Sequence, residues 1–196
     1  MEFKQLILKS RSYRRFDGSV QVPEENLLEL IDYLRFIPSA SNLQRLRYVL
    51  SCNSEINARI YTTLEWAGYL SDWSGPEEPE RPTAYVIITL DTKIRIKDTN
   101  AAYDVGIAAQ TLLLAATEKG LGGCMFGSCK RKQLREILQL PEHLDICLVV
   151  ALGKPVEKVV LEDAELGGSI KYYRDSDGTH HVPKRKREEL VFRVYA

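Results

Sequence analysis

The stretch that most limits how this chain can fold is residues 101–119. Alanine and leucine occupy almost every side of its helical pattern, through Leu112-Leu113-Leu114 to Ala116. A surface helix shows a single apolar stripe, whereas a helix apolar nearly all round belongs at the centre of a fold. Gly120 then ends it as a left-handed C-cap does. The run 84–90 is almost unbroken in branched apolar residues, which predicts a buried strand. Further strands are expected at 47–52, 122–126 and 146–152, with a helix at 131–138 between the last two. Upstream, residues 2–9 predict a short amphipathic helix. Pro23 opens another, with Leu27, Leu28, Ile31 and Leu34 on one stripe, and Pro38 stops it near Phe36. Residues 53–70 read as helical without a strong stripe, 163–177 as mostly irregular, and 191–194 as a short terminal strand with no obvious partner nearby.

The 196 residues, 44% of them apolar, suit a single domain over 1–196 or one protomer of an obligate oligomer. The 27 basic and 27 acidic side chains cancel, so neither nucleic acid nor a membrane surface is an expected partner. The start lacks the pattern of a secretory signal, and no run reaches the roughly 18 apolar residues of a spanning helix. The expected address is the cytoplasm. Cys52, Cys124, Cys129 and Cys147 form no C-x-x-C pair and read as buried thiols. Adjacent residues such as His180 and His181 rarely face one ligand, so no metal site is expected.

Hydrolase, zinc-protease and P-loop motifs are all missing. Gly120-Leu121-Gly122-Gly123 follows a helix and precedes a strand, the wrong order for a dinucleotide fingerprint. Four segments could hold a phosphate or a flat ring. Ser10-Arg11-Ser12-Tyr13-Arg14-Arg15-Phe16 carries three guanidinium forks and two serine hydroxyls. Pro38-Ser39-Ala40-Ser41-Asn42-Leu43-Gln44 offers hydroxyls and amides that can read a polar edge. Met125-Phe126-Gly127-Ser128 ends a strand with a glycine that lets backbone approach a ligand. Pro183-Lys184-Arg185-Lys186-Arg187 holds a basic run whose plain reading is a solvated face. Arg14 and Arg15 equally fit surface ion pairs. Residues 72–82, with three prolines and a glycine, form a long loop. Trp73 within it either covers a flat ligand or pins the loop.

Taken in order, these motifs resemble the nitroreductase family of FMN-dependent oxidoreductases. The helix from Asp104-Val105-Gly106 into Gly120-Leu121-Gly122-Gly123 and the closing Gly153-Lys154-Pro155 extend the likeness over nearly the whole chain, as one of the shorter members. The resemblance implies an α+β sandwich with a mostly antiparallel central sheet flanked by helices, in an intertwined homodimer with FMN at the subunit interface. Strand 191–194 would then pair with the partner's sheet. Arg11, Ser12 and Arg14 match the positions that hold the phosphate and lie beside the pyrimidine edge. Pro38, Ser39, Ala40 and Asn42 match the segment reaching the flavin from the other subunit. Met125, Phe126, Gly127 and Ser128 match the strand end along the ring, and Lys184 and Arg185 the basic pair closing over the phosphate. Where the family often reads Gln-Pro-Trp, this chain has Gln44-Arg45-Leu46, and Met125 stands where a tryptophan is common. Both departures bear on the substrate face.

The activity implied is ping-pong hydride transfer from NADH or NADPH, via flavin N5, to a nitroaromatic, quinone or similar acceptor. Arg14 would stabilise the reduced flavin, and no side chain need act as acid or base. The alternatives are a specialised dehalogenation or oxidation on the same fold, or an FMN-binding protein without turnover.

Overall fold

The computed structural model describes residues 1–70, 72–94 and 101–196. Its contacts divide them into two units, Met1–Trp66 with Gly75–Val156, and Ala67–Ser74 with Glu157–Ala196.

The first unit is built on four antiparallel strands in the order β1-β2-β4-β3: β1 Leu46–Ser51, β2 Ala84–Asp91, β3 Gly122–Phe126 and β4 Leu144–Gly153. Alternation along β2 and β4 sends side chains to opposite faces. Val86, Ile88, Val150 and Leu152 meet Leu27 and Leu30 of α2 (Glu24–Leu34) and Ala108 and Leu112 of α4 (Ala101–Glu118). Tyr85, Ile87, Val149 and Ala151 cluster with Ile60 of α3 (Ser54–Tyr61) and Leu134 of α5 (Arg131–Leu138). Helices thus cover both faces, which is why β2 reads as a continuous apolar run. The α+β class and the antiparallel sheet agree with the sequence reading. The short α1 (Phe3–Lys9) buries no residue of its own.

Three local readings need correction. The helix expected over 53–70 stops at Tyr61. Asn53 caps it, its Oδ1 accepting from the Ile56 amide at 3.0 Å. Thr62 and Thr63 end it with hydroxyls that donate to the Arg59 and Ile60 carbonyls at 2.8 and 2.7 Å. The terminal strand 191–194 is absent: Arg187–Leu190 makes one helical turn (α6), and the residues beyond have no regular structure. The strand partner expected for it is the sheet of a second copy, and within one chain these residues pair with no strand. Lastly, α4 is not covered all round, since Tyr103 stays 71% exposed.

The second unit carries strands that the sequence did not announce. β5 (Val159–Asp163) runs parallel to β7 (His180–Lys184), and β6 (Tyr173–Arg174) pairs antiparallel on the other side of β7. Charge and rings hold this unit. Arg174 reaches the buried Glu157 at 2.5 Å, and its guanidinium lies 4.1 Å from the Trp73 ring centre. Trp73 therefore has an anchoring role within this unit. His181 sits between Asp175, at 2.9 Å from Nε2, and Glu162 at Nδ1, with the Tyr173 ring stacked on it.

Candidate functional site

Ser10 ends α1, and the chain then lies flush along β3. Ser12 bridges to Gly123 in parallel fashion, and the Tyr13 amide donates to the Gly123 carbonyl at 3.0 Å. Only glycine permits this approach at Gly122, where a Cβ would stand 2.5 Å from both the Tyr13 ring and the Pro155 ring. Phe16 is fully buried, bridges to Pro155, and donates its amide to the Glu80 carbonyl at 2.9 Å.

This frame sorts the three arginines. Arg15 makes a two-pronged pair with Glu80 at 2.5 and 2.6 Å, so the ion-pair reading holds for it. Arg14 is 9% exposed, with Nη1 donating to the Ser12 carbonyl at 3.3 Å. Arg11 donates from Nη2 to the Ile7 carbonyl at 2.6 Å, while its Nε is buried without a hydrogen-bond partner. Burial draws the Arg11 pKa below its ordinary value. A desolvated cation with a spare donor suits an anionic ligand.

Met125 and Phe126 end the strand that carries Gly123, and Gly127 and Ser128 follow it directly. Gly127 lies four positions beyond Gly123, roughly 13 Å of extended chain. Phe126 is buried, edge-on to Trp66 at 4.6 Å, so it offers a ligand only backbone. Met125 is half-buried. Gly127 and Ser128 are exposed, and no atom stands within 4 Å of where a Gly127 Cβ would be. Arg131 steadies this end by donating to the Gly127 and Ile146 carbonyls at 2.8 and 3.1 Å.

The 38–44 segment is held differently. Its Ala40 amide donates to Asp104 Oδ1 at 3.0 Å, on the first turn of α4. The Ser39 hydroxyl accepts from the Gln44 amide at 3.1 Å, and Gln44 donates to the Asn42 side chain at 3.2 Å. Ser41, Asn42 and Gln44 all adopt left-handed backbone, with φ of 51°, 53° and 47°. The buried Arg45 approaches Asp104 Oδ2 at 4.0 Å, which explains how a charge is tolerated beside the motif. Burial and the nearby Asp104 push the Tyr48 pKa up to about 12.

Lys184 and Arg185 lie on the second unit, both exposed, with Arg185 3.8 Å from Glu189. Within the first unit, β3 links the first and third segments, while α4 carries the second. Sequence reasoning gave no role to the side chains of Asp104, Arg45 or Glu80. Asp104 had a signal, as an acid in the first turns of an Ala/Leu-rich helix. Glu80 had none, since its partner is 65 residues away.

Comparison with known proteins gives concordant results. The nitroreductase family model matches residues 7–154. A curated relative from Methanothermobacter thermautotrophicus, provisionally named NADH dehydrogenase/NAD(P)H nitroreductase, is 26% identical over 161 residues, covering 80% of this chain and 79% of the relative. The crystal structure of a nitroreductase family protein from Streptococcus pneumoniae superposes with a TM-score of 0.69 at 17% identity, covering 84% of this chain and 96% of that one. NADPH:FMN oxidoreductase from Vibrio harveyi, solved with NAD+, gives a TM-score of 0.61 at 27% identity, with coverage of 79% and 69%.

Proposed function

The chain belongs to the nitroreductase family, and from that membership we propose that it is an FMN-dependent NAD(P)H oxidoreductase. The observation that carries this reading is the pairing of residues 12–13 with Gly123. It fixes Arg11 and Arg14 near one end of β3 and leaves the backbone at Gly127 open at the other. The unpartnered Arg11 Nε fits a phosphate oxygen, and the unobstructed Gly127 fits the close approach of a flat ring.

Bound FMN supplies hydride acceptance from NADH or NADPH and delivery to an oxidised substrate, in ping-pong turnover. The chain supplies position and field. Arg11 and Ser12 hold the phosphate. Arg14 brings a fixed positive charge that favours the more negative, reduced cofactor. Residues 125–128 support the ring, chiefly through backbone. The family resemblance adds Lys184 and Arg185 for the phosphate, and Pro38, Ser39, Ala40 and Asn42 from a second copy. Residues 1–196 serve as one FMN-binding domain, and no side chain is assigned as acid or base. A nitroaromatic, a quinone or a similar small oxidant is the acceptor class.

Homodimer formation is part of the proposal, and exposed apolar side chains support it. Phe3 of α1 and Tyr103 of α4 are 72% and 71% exposed, and Phe192 and Tyr195 in the C-terminal tail are 95% and 85% exposed. Such exposure calls for a covering partner. Among the described residues no helix is long and apolar enough to cross a membrane.

The test is an absorbance spectrum of the purified protein before and after anaerobic NADH and NADPH, repeated for Arg14→Ala. Flavin bands bleached by either nucleotide are expected. The variant should lose on the order of 1.5–3 kcal/mol of FMN binding and show a lower flavin potential. Colourless protein that takes up no FMN refutes the proposal. Unchanged affinity and potential in the variant refute the role of Arg14.

A further inference from the structure

A cavity of about 240 Å³ lies on the sheet face opposite α4. Gln21, Asn57, Ala58, Tyr61, Arg81 and Tyr85 are among its lining residues. It is below the roughly 300–1,000 Å³ of sites for drug-sized ligands. None of the four segments that recommend themselves for FMN contributes to it.

Most polar groups around it are already satisfied. The Asn57 amide accepts from Ser51 at 2.7 Å and donates to the Thr83 carbonyl at 2.8 Å. Thr83 donates to the Val20 carbonyl at 3.0 Å, and Tyr61 to the Pro76 carbonyl at 2.8 Å. Two donors remain. The Tyr85 hydroxyl and the Arg81 Nε are both buried with no hydrogen-bond partner, and the Tyr85 side chain is wholly inside the protein. Two unanswered buried donors, one on a cation, leave an acceptor missing.

We propose that this cavity binds a small monocarboxylate with a short apolar or flat body. Its two oxygens would answer Tyr85 and Arg81. Its body would rest on Ala58 and Pro82, which also line the space. Charge limits the ligand to a single negative charge. Arg81 brings one positive charge and Glu78 in the same lining offsets it, so the carboxylate is held by the two donors and not by a net positive field. A dianion such as phosphate would add repulsion that nothing in the lining offsets. The Arg81 guanidinium, 4.1 Å from the Tyr61 ring centre, is held in place by that ring.

The probe is sodium benzoate, titrated into the purified full-length protein with its alanine methyls labelled with carbon-13. Ala58 reports on this cavity alone, so benzoate bound elsewhere does not confuse the reading. A saturable shift of the Ala58 methyl is expected. Tyr85→Phe should weaken it about tenfold, and Arg81→Gln by at least about tenfold. Arg81→Gln lies at a half-buried position and stands in if Tyr85→Phe perturbs folding. An Ala58 methyl that does not move with benzoate overturns the proposal, as does a shift that survives both substitutions. Inorganic phosphate acting at lower concentration than benzoate overturns the carboxylate assignment.

Discussion

The 10–16 and 38–44 segments present the same kind of polar surface but are secured in opposite ways. The first is laid on β3 through backbone, with Ser12 bridged to Gly123 and Phe16 tied to Glu80, and its one ion pair is half-exposed. The second hangs on one carboxylate, Asp104, and holds three non-glycine residues in left-handed backbone. Backbone pairing spreads the load over several atoms. A single buried acid concentrates it. Substitution should therefore be absorbed in the first segment and amplified in the second.

The strongest challenge to that contrast is Asp104→Ala. It removes the acceptor of the Ala40 amide and breaks the buried approach of Arg45 to the same carboxylate. The expected loss is about 3–5 kcal/mol, read by denaturant melts. A loss below about 1 kcal/mol would show that the 38–44 segment does not depend on Asp104. Gly122→Ala attacks the first segment at its closest contact, forcing the Tyr13 ring off β3. About 1–3 kcal/mol of stability should go, together with flavin content in the purified protein. Retention of both would mean that the flush packing is dispensable.

Glu80→Gln is gentler. Arg15 and Glu80 are 35% and 30% exposed, so losing their attraction should cost about 1 kcal/mol or less. Flavin content should hold, because the Phe16 amide still reaches the Glu80 carbonyl. The mildest perturbation touches neither segment. Hydrogen bonds to Asp175 and Glu162 raise the His181 pKa, and the bond to His181 lowers that of Asp175. Stability from the raised His181 is fully present below the unfolded imidazole pKa, about 6.5, and is lost as pH climbs through the folded value. That from Asp175 is lost as pH falls through its depressed value. An NMR titration of the His181 ring should give a midpoint above 6.5, and one at or below 6.5 would remove this coupling.

How much of this was legible follows the same physics. Runs 84–90 and 101–119 announced the sheet and its central helix because burial on several sides leaves an unbroken apolar record. The four candidate segments were visible because they are local in sequence. The second unit was nearly silent. β5 and β7 owe little to apolar alternation, β6 is two residues long, and the support comes from Arg174–Glu157 and the ring pairs. The ties that hold the two segments, Asp104 to Ala40 and Arg15 to Glu80, span 64 and 65 residues. No local pattern encodes such pairings. Residues 191–194 show the converse, a local preference that finds no strand partner within one chain.

The left-handed turn at Ser41, Asn42 and Gln44 also has a consequence in time. Each such residue costs about 1–2 kcal/mol until something holds it. Here the hold comes from α4, whose first turn must be docked before Asp104 can receive the Ala40 amide. The turn is therefore expected to form after the folding barrier. Substitutions within it should speed unfolding while leaving the refolding rate nearly untouched, the signature of low φ-values. The last piece of the molecule to form would also be the first to let go.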